Sequence, residues 1–142
     1  MQSLLRPARP AHIPAIQRVR RSVRENRLVS GVITDDEVLE MMQTHGRGWV
    51  VEEGGEVVAF AFGDARDGNI WALFVDPDHE RRGHGRRLHD EMLRWLWAQG
   101  LQRLWLSTTP ATRAQGFYEA AGWRAVGTIE HGEIRFEIDR PT

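Results

Sequence analysis

The residues whose types and spacing could do chemistry crowd into Phe74–Leu93, FVDPDHERRGHGRRLHDEML, where four arginines flank two glycines. An apolar run and a Pro turn precede them, and a helical pattern follows. A strand that leads straight into a helix leaves the first helical N–H groups unpaired. The helix dipole places about half a positive charge at that same end. Gly83 and Gly85 carry no Cβ, so a bulky anion can approach the backbone. Arg81, Arg82, Arg86 and Arg87 add charge around the opening. These features together suit a phosphate or pyrophosphate; the alternative is a glycine-permitted turn with solvated arginines. A Walker loop would need Gly-Lys-Ser/Thr, and the stretch has no lysine; a dinucleotide fingerprint would need a third glycine where Leu88 stands. His84 and His89 fall on different helix faces and are expected to be exposed or capping residues rather than metal ligands. No metal is expected.

The elements that must position this turn are read from periodicity. Ser3 to Arg6 suits a short first strand. Ile13, Ile16, Val19 and Val23 mark one face of a helix ending near Asn26. Thr34 and Glu37 have capping-box spacing and start a second helix through Val38, Leu39 and Met42. The period then shortens: GWVVEE, EVVAFAFGD and NIWALFVD are strand-like runs separated by Gly54-Gly55 and Asp67-Gly68, both two-residue turn signals. A helix from Gly85 to Gln99 buries Leu88, Met92, Trp95 and Leu96 and stops at Gly100. LQRLWLSTT is a further strand, ATRAQGFYEAAG a short helix ending at Gly122, and the remainder a hairpin around His131-Gly132 with Ile134, Phe136 and Ile138 on one face. The order β-α-α-β-β-β-α-β-α-β-β is that of an α+β mixed sheet and excludes a regular Rossmann repeat.

At 142 residues, without repeats or linker composition, the chain is expected to form a single domain over 1–142. The net charge of −1 argues against a protein that binds nucleic acid by global attraction, so an anion site has to be local. No cysteine is present, which excludes disulfides, thiolate zinc sites and a cysteine nucleophile. The N-terminus lacks the apolar core of a signal peptide, and no run approaches the ~20 apolar residues of a membrane span. A cytoplasmic protein without membrane or nucleic-acid partners is expected.

The stretch VDPDHERRGHG resembles the acyl-CoA motif of the GNAT superfamily of N-acetyltransferases, R/Q-x-x-G-x-G/A after a strand and a short Pro turn. Gly83 and Gly85 fill the glycine positions, Val75 and Pro77 the strand end and turn, while Glu80 stands at the Arg/Gln position. RAQGFYEAAGW resembles the family's downstream helix through Phe117, Tyr118, Gly122 and Trp123; Ala111 stands where relatives often have Asn. The resemblance covers nearly the whole chain. It implies a central, mostly antiparallel sheet of about seven strands with about four helices, splayed between strands four and five.

That resemblance further implies acetyl-CoA as co-substrate. Its pyrophosphate would lie at Arg81, Arg82, Gly83, His84, Gly85 and Arg86, with the pantetheine arm and thioester carbonyl against the backbone of Phe74 and Val75. Tyr118 would be the general acid that protonates the leaving thiolate. Glu25 is the candidate base or amine anchor, and Asn26 and Trp71 are candidates for the acceptor side. The acceptor would be a small-molecule amine or a peptide N-terminus. A coenzyme A-binding regulatory module without useful catalysis is the competing reading, and a binder of nucleic acid through RRGHGRR a third. The exposed edge of the C-terminal hairpin is where two subunits would pair.

Overall fold

A computed structural model describes residues 3–23 and 33–142. Among these residues, seven strands and four α-helices follow the expected order. They are β1 (Ser3–Pro7), α1 (Ile13–Ser22), α2 (Asp35–Glu40), β2 (Gly46–Glu53), β3 (Glu56–Asp64), β4 (Ile70–Val75), α3 (His84–Ala98), β5 (Arg103–Thr108), α4 (Arg113–Ala120), β6 (Arg124–Thr128) and β7 (Ile134–Asp139). The strands form two antiparallel sheets, ordered β1-β2-β3-β4 and β5-β7-β6.

Local chemistry accounts for the element ends. At α2, the Glu37 amide donates to Thr34 Oγ1 at 3.1 Å and the Thr34 amide donates to Glu37 Oε1 at 3.0 Å, a reciprocal capping box. Helix α1 stops at Ser22 because Val23 turns extended, so it ends before the expected Asn26. The Asp67-Gly68 connection is longer than a two-residue turn and runs over residues 65–69. Asp64 Oδ1 accepts from the Arg66 amide at 2.9 Å, and the Gly68 amide donates to the Asp64 carbonyl at 3.0 Å, which rounds the chain off before β4.

The core lies on both faces of the larger sheet. Along β3 the sequence Ala59-Phe60-Ala61-Phe62-Gly63 sends its small residues toward α3 and its rings toward α1 and α2. A Cβ on Gly63 would stand 3.0 Å from Leu96 Cδ1, so α3 sits against a strip of minimal side chains. Leu88, Met92 and Leu96 fill that contact and are fully buried. On the opposite face, Ile13, Ile16, Val19, Val38 and Met41 cover Phe60 and Phe62.

The two histidines of α3 depart from expectation: His84 is 4% exposed and His89 2%. The indole N–H of Trp123 donates to His89 Nε2 at 3.0 Å, leaving Nδ1–H to donate to Asp90 Oδ1 at 2.9 Å. That network assigns a neutral imidazole. Burial pushes its pKa down, and the Asp90 hydrogen bond offsets this in part. The unfolded chain therefore binds more protons than the folded one below the ordinary histidine value of 6.5. Stability is fully present above that value and is lost as pH falls through it. Thermal melts from about pH 7.5 to about pH 5.5 should show Tm falling in the wild type and falling less in His89→Gln, which keeps an acceptor for Trp123. Equal slopes for the two proteins would remove His89 from the effect.

Candidate active site

Strands β4 and β5 run side by side at one end and part at the other. They touch where Asn69 and Trp105 form a parallel bridge, with the Trp105 amide donating to the Gly68 carbonyl at 3.0 Å. Gly68 makes this approach feasible. Its φ is +82°, and a Cβ there would lie 2.7 Å from the Arg103 carbonyl oxygen. Two residues further, β4 bulges: Phe62 pairs with Ala72 and Gly63 with Ile70, so Trp71 is the extra residue. The bulge bends β4 away, and no strand covers its free edge beyond Asn69 among the described residues.

The resulting cleft has a volume of about 930 Å³ and is lined from both strands, the turn after β4 and the start of α4. Register decides which backbone groups it receives. The Asp76 amide donates to the Val58 carbonyl at 2.8 Å, so alternate residues Asp76 and Phe74 bond toward β3. In an antiparallel pair the intervening residues turn their N–H and C=O away. Val75 and Leu73 therefore face the opening, whereas the Phe74 backbone is engaged with Phe60. Leu73 escaped the sequence reading, although strand alternation from Val75 points to it.

At the wide end, Asp76 caps the Pro77–His79 turn by accepting from the Asp78 amide at 2.9 Å. The chain then takes left-handed conformations at Arg81 (φ 64°) and Gly83 (φ 82°), and Gly83 is the N-cap of α3. Arg81, Gly83, His84, Gly85 and Arg86 line the cleft. Arg81 has no hydrogen-bond or ion-pair partner among the described residues, and Arg86 pairs with Asp90 one turn along the helix at 3.1 Å. Arg82 and Arg87 turn elsewhere: Arg82 Nη1 donates to Glu53 Oε1 at 2.6 Å, and Arg87 Nη1 donates to Ser3 Oγ at 2.7 Å. Glu53, at the end of β2, also pairs with the buried Nε2 of His84. The hydrogen bond from His84, reinforced by the charge of Arg82, holds the Glu53 carboxyl below the usual carboxylate range. One carboxylate thus grips the turn on each side of Gly83. Glu80 pairs with Arg113 at the start of α4, so the acidic residue at the motif's Arg/Gln position is neutralised across the cleft mouth.

Toward the narrow end, α4 brings Tyr118. Its ring packs edge-on against Phe117 (5.2 Å between centroids) and Trp123 (5.6 Å). Burial pushes the phenol pKa above its ordinary value of 10.0, so the group is protonated at neutral pH. Tyr118 lines the cleft, and its hydroxyl has no protein hydrogen-bond partner among the described residues. Ala111, at the position of the expected Asn, has φ 61°, and its amide donates to Gln115 Oε1 at 2.6 Å. On the other wall, Trp71 faces the cleft and meets Phe62 at 5.8 Å edge-on. Glu133 also lines it, accepting from Ser107 Oγ at 3.3 Å. Glu25 and Asn26 lie outside the described residues. Among the described residues, no group of His, Asp and Glu could hold a metal ion, and no helix is long and apolar enough to cross a membrane.

A family model described as Acetyltransferase (GNAT) family matches residues 16–123. The mycothiol acetyltransferase of Beutenbergia cavernae is 36% identical over 84 residues, covering 55% of this chain and 28% of that protein. The chain thus spans less than a third of that relative's length. Among solved structures, the ribosomal-protein-S18-alanine N-acetyltransferase from Escherichia coli has a TM-score of 0.79 at 17% identity, covering 97% of this chain and 94% of its own. The PaiA N-acetyltransferase from Thermoplasma acidophilum, in complex with coenzyme A, has a TM-score of 0.82 at 11% identity, covering 99% and 100%. At such identities the likeness is one of fold.

Glu53 holds the turn without lining the cleft, so its removal tests positioning directly. If the turn's amides hold acetyl-CoA, Glu53→Ala should weaken that binding by about tenfold in calorimetry, because a loosened turn would present them less well. Arg82→Ala, which removes the exposed partner and leaves His84 paired, should weaken it less. An affinity unchanged in Glu53→Ala would mean that the turn holds its shape unaided.

Proposed function

The chain belongs to the GNAT acetyltransferase family, and on that premise we propose that it transfers an acetyl group from acetyl-CoA to a primary amine by direct attack. One observation carries the reading: a single cleft joins a left-handed glycine turn at a helix N-terminus to a buried, protonated phenol, along a strand edge that no other strand covers among the described residues.

The coenzyme's pyrophosphate would sit at the amides of Gly83–Arg86, with Arg81 and Arg86 adding charge. Its pantetheine arm would pair with β4 as an added strand, through Leu73 and Val75. The thioester carbonyl would take a hydrogen bond from the backbone near Val75, the kind of donor that typically stabilises a developing oxyanion by a few kcal/mol. The amine nitrogen attacks the carbonyl carbon, the C–S bond breaks, and the Tyr118 hydroxyl protonates the departing sulfur. A raised phenol pKa keeps that proton available over the whole working range.

Calorimetric titration with acetyl-CoA tests the donor, with Gly85→Glu in parallel. Gly85 is helical, and a Cβ there would meet Phe117 at 3.6 Å, an ordinary contact, so the variant should fold. Its carboxylate would then stand where the pyrophosphate binds. Micromolar binding by the wild type and none by the variant is expected; a folded wild type that does not bind would overturn the proposal. Tyr118→Phe should lower kcat by about a hundredfold without abolishing turnover, since thiolate leaves unaided at a reduced rate. With a phenol pKa above 10.0, kcat/KM should climb with pH as the amine deprotonates. An alkaline fall below about pH 10 would speak against Tyr118 as the acid.

A further inference from the structure

Two carboxylates line the cleft among the described residues, Glu80 and Glu133. Glu80 is already paired with Arg113. Glu133 is half-buried and has no ion-pair partner among the described residues; its carboxylate accepts one hydrogen bond, from the neutral Ser107 hydroxyl at 3.3 Å. The cation nearest in sequence, Arg135, is engaged elsewhere, donating to Glu137 at 3.1 Å and stacking 4.4 Å over Trp105. A half-buried carboxylate without a cation is an incomplete arrangement, because removal from water is offset when an opposite charge arrives.

The cleft's charges are also segregated. The described basic residues that line it, His79, Arg81, His84, Arg86 and Arg113, all belong to the turn after β4, the first turn of α3 or the start of α4. The wall where β5 meets the approach to β7 offers Ser107, Thr108 and Glu133, and Arg135, opposite Ser107 on β7, does not line it. Leu104 and Leu106 point into the core beneath α3 and α4, so Ser107 faces the opposite side of β5, away from those helices. An anionic cofactor suits one end of the cleft and a cation the other.

From this arrangement we propose that Glu133, oriented by Ser107, anchors the acceptor's ammonium group. It selects acceptors whose amine carries no neighbouring carboxylate, such as peptide N-termini and alkylamines, over free amino acids. This rests on the acetyltransferase reading above. The ammonium binds as an ion pair, loses one proton to solvent, and the free amine attacks the thioester carbonyl carbon. As the N–C bond forms and the C–S bond breaks, Tyr118 protonates the sulfur. The nitrogen's second proton returns to the phenolate through solvent, so one proton is released per turnover. An α-carboxylate on the acceptor would approach Glu133 and be repelled.

The chain's lack of cysteine lets a thiol reagent report released coenzyme A without protein background. With acetyl-CoA as donor, and alaninamide, n-butylamine and free alanine as probes, the wild type should favour alaninamide over alanine by at least about tenfold in kcat/KM. Glu133→Gln should raise the KM for alaninamide about tenfold, change kcat little and narrow the gap to alanine. Glu133→Asp should recover part of the loss. Calorimetric affinity for acetyl-CoA should be the same in all three proteins. An unchanged KM for alaninamide in Glu133→Gln, or a wild type that binds acetyl-CoA yet transfers to neither amine, would overturn the anchor while leaving the coenzyme site standing. A wild type that fails to bind acetyl-CoA would overturn the acetyltransferase reading itself.

Discussion

The feature on which the molecule depends is a pairing that two strands do not complete. β4 and β5 meet at Asn69 and Trp105, beside a glycine that allows the two backbones to close up. From there the extra residue Trp71 bends β4 away. An unpaired strand edge is ordinarily a liability, since its amides and carbonyls invite another chain. Here that edge lines a cleft, where its orphaned groups are available to an extended ligand. The two sheets are kept in place on either side of the gap by α3 and α4 and by the aromatic packing beneath them, so the opening does not collapse.

The turn after β4 shows how a nearly neutral chain makes a local anion site. Its helix N-terminus directs backbone amides at the cleft, and the arginines around them divide between tasks. Arg81 and Arg86 remain at the cleft, whereas Arg82 and Arg87 fasten the turn to Glu53 and Ser3 on neighbouring strands. Glu53 is central because it takes Arg82 and His84 from opposite sides of Gly83. A left-handed Arg81 is conformationally unfavourable. It persists where the surrounding contacts leave the backbone no cheaper route, and the grip of Glu53 supplies such contacts.

The departures from the family's motif have local compensation. Glu80 would repel a phosphate if it were free, but Arg113 neutralises it. Ala111 replaces a residue type that tolerates left-handed backbone better, and the Gln115 side chain captures its amide instead. Burial reinforces the protonated state of Tyr118, and Phe117, Trp123 and the neutral His89 beneath them fix its place. The hydrogen bond that Trp123 donates to His89 thus ties α3 to the residue that follows the helix presenting the phenol.

What the amino-acid sequence determined by itself is what depends on near neighbours: the order of strands and helices, the Thr34–Glu37 capping box, the glycine turn that leads into α3, and the Phe117-Tyr118 pair on a short helix closed by Gly122. Propensity, periodicity and capping act over a few residues, so they can be read in one dimension. Tertiary structure decided what rests on long-range contacts. Glu53 meets the turn 31 positions from its partner His84, and Ser107 meets Glu133 across 26. The inward burial of His84 and His89 follows from partners on other elements, which helix periodicity cannot show. The division between Phe74 and its neighbours Leu73 and Val75 follows from register with β3, set by a bulge that no residue pattern announces. The glycine turn after β4 is written locally. The carboxylate that would receive the acceptor is not, because it reaches the cleft only when β7 folds back beside β5.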